Sequence, residues 1–132
     1  MPELRSVGYN VSASNVTLTT TTEKVIISSG PLPLEYSGQE IVIIGWAQLT
    51  TGTDTTAVKP KIRRGTTITG TLVNEANSET VKAAAGSTEP FFCMAAESRA
   101  NENTVEYSFC LEQVGASADG TVLQAGIIVL LL

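Results

Sequence analysis

Thr104-Val105-Glu106-Tyr107-Ser108-Phe109-Cys110-Leu111-Glu112-Gln113-Val114 is the stretch on which the fold turns. Val105, Tyr107, Phe109 and Leu111 share one parity, and Glu106, Ser108, Cys110 and Glu112 the other. A period of two sustained over that length is a strand with one face on a core and one toward water, the pattern of an antiparallel sheet. The segment from Gly115 to Gly120 supplies a hairpin loop with a glycine at each end. Beyond it Thr121 to Leu132 reads as a further strand, apolar on both parities.

Outward in the other direction the same grammar repeats. Pro90 to Ala96, centred on Phe91-Phe92-Cys93-Met94, is a strand, and Glu79 to Ala85 is a weak one. Thr71-Leu72-Val73 is a short strand after a turn region bracketed by Gly65 and Gly70. Ala57 to Arg64 is a strand with Lys59, Lys61 and Arg63 on one face. Gln39 to Leu49 has two apolar faces, and Val16 to Ser28 holds two short strands or one bent one. Gly30-Pro31-Leu32-Pro33-Leu34 cannot be a central strand and reads as a crossover whose leucines cap one end of the core. β-Branched residues fill these segments and turn residues separate them, with no convincing helix. The expectation is an all-β fold, a two-sheet antiparallel jelly-roll sandwich of about eight strands. An immunoglobulin-like sandwich is the alternative. Residues 16–132 form that one domain, preceded by an N-terminal arm, residues 1–15, which lacks strong periodicity and is expected to order on binding.

Composition narrows the chemistry. The 132 residues are 42% hydrophobic, carry a formal net charge of −5 and include no histidine. Without histidine there is no Ser-His or Cys-His catalysis and no imidazole metal ligand. The acidic balance argues against nucleic acid as a partner. The longest apolar run, Ile127 to Leu132, is far shorter than the roughly 20 residues a membrane helix needs, so no membrane is expected. The start of the chain has no apolar stretch of the kind a signal peptide needs, so export is not expected. Two cysteines, Cys93 and Cys110, are read as buried or half-buried thiols, with a disulfide between adjacent strands as the alternative. Asp54 and Asp119 offer one carboxylate per loop, too few for a dedicated calcium loop. No catalytic residue, cofactor or metal site is assigned. Trp46 lies inside an apolar strand and reads as core packing.

The two strands with double apolar faces carry the functional expectation. A small sandwich has one core, so the second face needs another cover: a loop, the N-terminal segment or another subunit. The subunit reading assigns Val122, Ile128, Leu130 and Leu132 with Val42 and Ile44 to an oligomer interface. Lys59, Lys61 and Arg63 are the candidate polar docking surface, unless nearby glutamates balance them.

The stretches Gln39 to Ala47, Lys61 to Thr67 and Tyr107 to Gly120 resemble small virion surface proteins of tailed bacteriophages. That resemblance implies a trimeric, tumour-necrosis-factor-like arrangement and a role as head decoration, cement or fibre module. It implies a homotrimer partnered by the major capsid protein or another virion protein, made in the host cytoplasm and located on the head surface. It transfers no functional residue. A carbohydrate- or receptor-binding module of a phage tail or fibre is the alternative, which would expose aromatics beside polar loops.

Overall fold

The computed structural model describes residues 6–12, 16–18, 22–51, 56–76, 79–81, 88–100, 103–114 and 120–132. They form β1 (Ser6–Ser12), β2 (Val16–Thr17), β3 (Glu23–Ser28), β4 (Leu32–Pro33), β5 (Glu40–Thr51) and β6 (Thr56–Arg64). After these come β7 (Leu72–Glu75), β8 (Glu79–Val81), β9 (Thr88–Ser98), β10 (Thr104–Val105), β11 (Tyr107–Val114) and β12 (Gly120–Leu131). There is no helix among the described residues. Asp54 and Asp119 lie outside the described residues, as do parts of the N-terminal arm and of the expected strand Glu79 to Ala85.

Two sheets pack face to face. The first runs β1-β12-β5-β9, with β2 also on β12; the second runs β3-β11-β6-β7, with β8 also on β6. The pairings are nested: β1 with β12, β3 with β11, β5 with β9 and β6 with β7, all antiparallel. Outermost pairs with outermost and inner with inner, as in one long ribbon rolled up, which is the jelly-roll arrangement. The expected leucine crossover is there as well: β4 pairs with β10, and Leu32 and Leu34 pack against the core.

The core lies between the sheets. Ile41, Ile43, Ala47 and Leu49 of β5 face it with Ala125, Ile127, Val129 and Leu131 of β12. Tyr107, Phe109 and Leu111 answer from β11, the parity that alternation assigned to the interior. Each fully buried aliphatic or aromatic side chain is worth about 1.5–3 kcal/mol relative to exposure. At Gly45 a Cβ would overlap the Phe109 side chain, so that ring packs on bare backbone. Pro60 sits within β6 and lacks a ladder donor. The neighbouring strand is split into β7 and β8 opposite it, and the Pro60 carbonyl accepts a hydrogen bond from the Ala76 amide at 2.9 Å across that gap.

Two sequence expectations need correcting. Ser6–Ser12 does not stand apart as an arm; it is the edge strand of the first sheet, in register with β12 over seven residues. Val122 is not on an outer face; it is 1% exposed and part of the core. The reason is a bulge between Val122 and Gln124. A bulge inserts one residue and so reverses the parity of the positions beyond it. Val122 points inward on an even number, whereas Ala125, Ile127, Val129 and Leu131 point inward on odd ones.

Candidate functional site

The outer face of the first sheet is apolar across β9, β5 and β12. Register aligns its positions in three rows: Ala96, Val42 and Leu130; Met94, Ile44 and Ile128; Phe92, Trp46 and Gly126. No charged residue interrupts them. Phe92 and Met94 are 59% and 61% exposed, the two highest values among the large apolar side chains described. Trp46 lies flat on Gly126, where a Cβ would collide with the indole. Glutamines (Gln48, Gln124) bound the patch at one end, and Glu40 and Ser98 at the other. With strands about 4.8 Å apart and rows about 6.8 Å apart, the three strands give a patch that projects to roughly 300 Å2. That is about the size of the largest apolar patch on an ordinary monomer, which is often functional.

Of the interface residues expected from sequence, Val42, Ile44, Ile128 and Leu130 are brought together here, and Leu132 follows on the same parity. Val122 is excluded by the bulge. Trp46, Phe92 and Met94 belong to the face although the sequence reading places the first in the core and singles out neither of the others. The signal exists: Phe92, Met94 and Ala96 share a parity opposite to buried Phe91, Cys93 and Ala95, so β9 too has two apolar faces.

The outer face of the second sheet is the opposite kind of surface. Lys61 reaches Glu23 and Glu112, each at 3.0 Å, and Glu75 at 3.4 Å. Lys59 pairs with Glu75 at 3.2 Å. Arg63 forks onto both carboxylate oxygens of Glu23 and donates to the Gly70 carbonyl at 2.9 Å. Register explains the match, since Glu112 stands opposite Lys59 on one side and Glu23 on the other, and Lys61 stands opposite Glu75. The three cations thus meet the chain's own carboxylates, in place of the open polar docking surface the sequence suggested. Burial pushes the Glu23 carboxyl up, but its bonds to Arg63 and Lys61 outweigh this and hold it below the usual carboxylate range. Burial likewise pulls the Lys61 ammonium down, and its bonds to Glu23 and Glu112 carry it above the usual lysine value.

Beneath this network lies Cys110, fully buried; its thiol is pushed up to about 12, first by burial and then by the nearby Glu23 charge. Cys93 is buried on the core side of the first sheet, and burial raises its thiol too. The two sulfurs belong to different sheets and both are free thiols. Both should therefore resist aromatic disulfide reagents at pH 8 in the native protein. Reaction is expected to be at least about a hundredfold slower than in denatured chain, which should titrate as two thiols; fast native labelling of either would contradict the packing.

At one end of the sandwich Glu97 acts as a plug. It takes a two-pronged contact from Arg64 (3.0 and 2.9 Å) and a hydrogen bond from the Tyr107 hydroxyl at 2.7 Å, with Arg99 at 4.0 Å. Burial and the adjacent Glu97 charge push the Tyr107 phenol well above its usual value. Among the described residues no group of three or more Cys, Asp or Glu is arranged to hold a metal ion. No described helix is long and apolar enough to cross a membrane.

No protein-family model matches this sequence, and no curated protein matches it. Solved structures do. The chain superposes on a protein of infectious bursal disease virus, Gt strain, with a TM-score of 0.60 at 9% identity, covering 98% of this chain and 34% of the other. It superposes on the VP2 subviral particle of infectious bursal disease virus with a TM-score of 0.60 at 8% identity, again covering 98% and 34%. A structure titled for a CBM4 matches more loosely, with a TM-score of 0.38 at 16% identity, covering 77% of this chain and 58% of that one. The chain spans about a third of the length of the viral proteins it matches. At such low identity the likeness to the viral proteins speaks for the fold: an all-β sandwich of the kind found in virus particles.

Proposed function

We propose that this chain is a non-enzymatic structural protein of a virion, a phage head-decoration or cement protein that works as a homotrimer. The observation that carries the reading is the uncharged outer face of the first sheet, which one subunit cannot cover by itself. Burying roughly 300 Å2 at about 25 cal/mol per Å2 is worth roughly 7 kcal/mol per subunit. That is comparable to the 4–15 kcal/mol or so that association costs. The second sheet, with its charges paired internally, is the face turned to solvent. Proteins of virus particles share the sandwich fold, and the lack of histidine argues against catalysis. In this reading three copies meet through their first sheets, and loops at the ends of the sandwich touch the major capsid protein on the head surface after synthesis in the host cytoplasm. No cofactor, membrane or nucleic acid enters. The carbohydrate-binding alternative is less favoured, because Phe92 sits amid apolar neighbours rather than beside polar loop groups. The test is the solution mass by sedimentation or light scattering. A mass three times that of the chain is expected at micromolar concentration, and a stable monomer there would overturn the reading.

A further inference from the structure

The edge strand β3 is tied to the second sheet in two unlike halves. Register sets nine outer-face positions of that sheet in three rows: Ser28, Ser108 and Arg63; Val25, Cys110 and Lys61; Glu23, Glu112 and Lys59. Paired residues of an antiparallel ladder share a face, so Cys110 stands at the centre of this grid. The Arg63–Glu23 ion pair, with Nη2 donating to Oε1 at 2.9 Å, joins opposite corners and so crosses over Cys110. Lys61 Nζ donates to Glu23 and Glu112, each at 3.0 Å, along two more edges of the same grid. A cysteine on the solvent side of a sheet is thereby fully buried.

The ladder between β3 and β11 shifts register between Phe109 and Cys110, which leaves Ile26 as the extra residue of a bulge. Beyond the bulge β3 is anchored to the core. Ile27 is buried there, the Ser28 and Ser108 hydroxyls meet at 2.9 Å, and the Ser29 amide donates to the Tyr107 carbonyl at 2.9 Å. Before the bulge Glu23, Lys24 and Val25 are only half-buried, and the tie that reaches across the sheet is the Glu23 carboxylate. An edge segment with little buried apolar surface is the kind that opens locally, ahead of the whole domain.

We infer that Glu23–Val25 is a strap, hinged at this bulge and latched over Cys110 by the Glu23 carboxylate, so that acid opens it while the rest of the sandwich stays closed. The groups that face Glu23 are Lys61 and Arg63 of β6 with Cys110 and Glu112 of β11. Lys59 of β6 and Glu75 of β7 belong to the same network through Lys61, and Lys24, beside Glu23 on β3, donates to the Thr17 carbonyl at 2.6 Å. Once Glu23 is protonated, Lys61 keeps Glu112 and Glu75 and Arg63 keeps the Gly70 carbonyl, none of which lies on β3. The sign follows from the Glu23 carboxyl, which its bonds to Arg63 and Lys61 hold below the usual carboxylate range. The latch is therefore closed above that range and released as pH falls through the depressed value.

The experiment is native-state labelling with a pyridyl disulfide, which stays reactive toward thiols in acid, with each modified cysteine assigned by peptide mass. The two free thiols lie in different sheets, so Cys93 reports global unfolding and Cys110 the strap. Between pH 7 and pH 4, labelling of wild-type Cys110 should accelerate at least about tenfold over that of Cys93, each rate taken against denatured chain at the same pH. Glu23→Gln should give a gain of at least about tenfold already at pH 7, with faster hydrogen exchange of the Glu23–Val25 amides and unchanged exchange at Ile27. Acceleration of both cysteines together would mean that acid opens the whole sandwich and would overturn the inference. So would a Cys110 rate that does not respond to pH, or a faster Cys110 in Glu23→Gln with Glu23–Val25 exchange unchanged, since the thiol's chemistry and not its cover would then have altered. If Glu23→Gln fails to fold, the wild-type pH series with exchange at the same amides decides alone.

Discussion

A chain carrying both Phe92→Glu and Met94→Glu is expected to be a folded monomer. Both side chains are more than half exposed in the single subunit, so its core and ladders lose nothing when they change. Substitutions at exposed positions away from special features usually cost within about 0.5 kcal/mol. In the proposed assembly the same positions would enter a dry contact between copies. An uncompensated carboxylate there costs several kcal/mol, and two facing their symmetry mates repel as well. The expected weakening is at least about a thousandfold in assembly, equivalent to about 4 kcal/mol. Sedimentation of the variant beside wild type, with thermal melting of each, reads both halves. A double variant that retains the wild-type mass would place the interface elsewhere.

The second large effect belongs to Lys61. Its ammonium is the hub of three carboxylates, and the Lys61 and Glu23 side chains are each only 8% exposed. Removing one partner of a buried ion pair typically costs about 3–5 kcal/mol, because the remaining charge stays desolvated. Lys61→Ala should lower stability at pH 7 by that amount, roughly 10–20 °C in Tm for a chain of this length. Arg63 still holds Glu23, which keeps the expectation toward the lower end. The pH dependence has a definite sign. The Glu23 and Glu75 carboxyls are held below their usual value in the folded protein. Their contribution is present above the ordinary carboxylate range and is lost as pH falls through the depressed folded values. The wild-type advantage over Lys61→Ala should thus shrink in urea unfolding below about pH 4. A difference that stayed constant between pH 7 and pH 3 would show that packing of the lysine stem, and not its charge, is what matters.

Alternation makes the strands legible because side-chain direction along a strand depends on parity alone. Val105 to Leu111 can be sorted into core and outer positions with no knowledge of partners. The double apolar faces of β5 and β12 are visible for the same reason, and the two strands lie side by side in the first sheet. Val122 escapes such sorting because a bulge is a property of a pair of strands: Leu123 resembles its neighbours, and nothing in the chain marks it as the extra residue. The charge network is illegible for a related reason. Glu23, Glu75 and Glu112 come from three different strands and converge on Lys61 only through register.

The nested order of the strands also sets a timetable. β12 stands between β1 and β5, so the first sheet is two separate pieces until the final strand joins them. During synthesis the outer face shared by β9, β5 and β12 stays incomplete until β12 emerges, since every row of the patch ends on β12. Domains emerging from the ribosome at about 5–20 residues per second expose unfinished apolar surface to one another, and this topology withholds the complete patch until that strand is out. In the proposed assembly, pairing of copies through this face would therefore wait until β12 is in place.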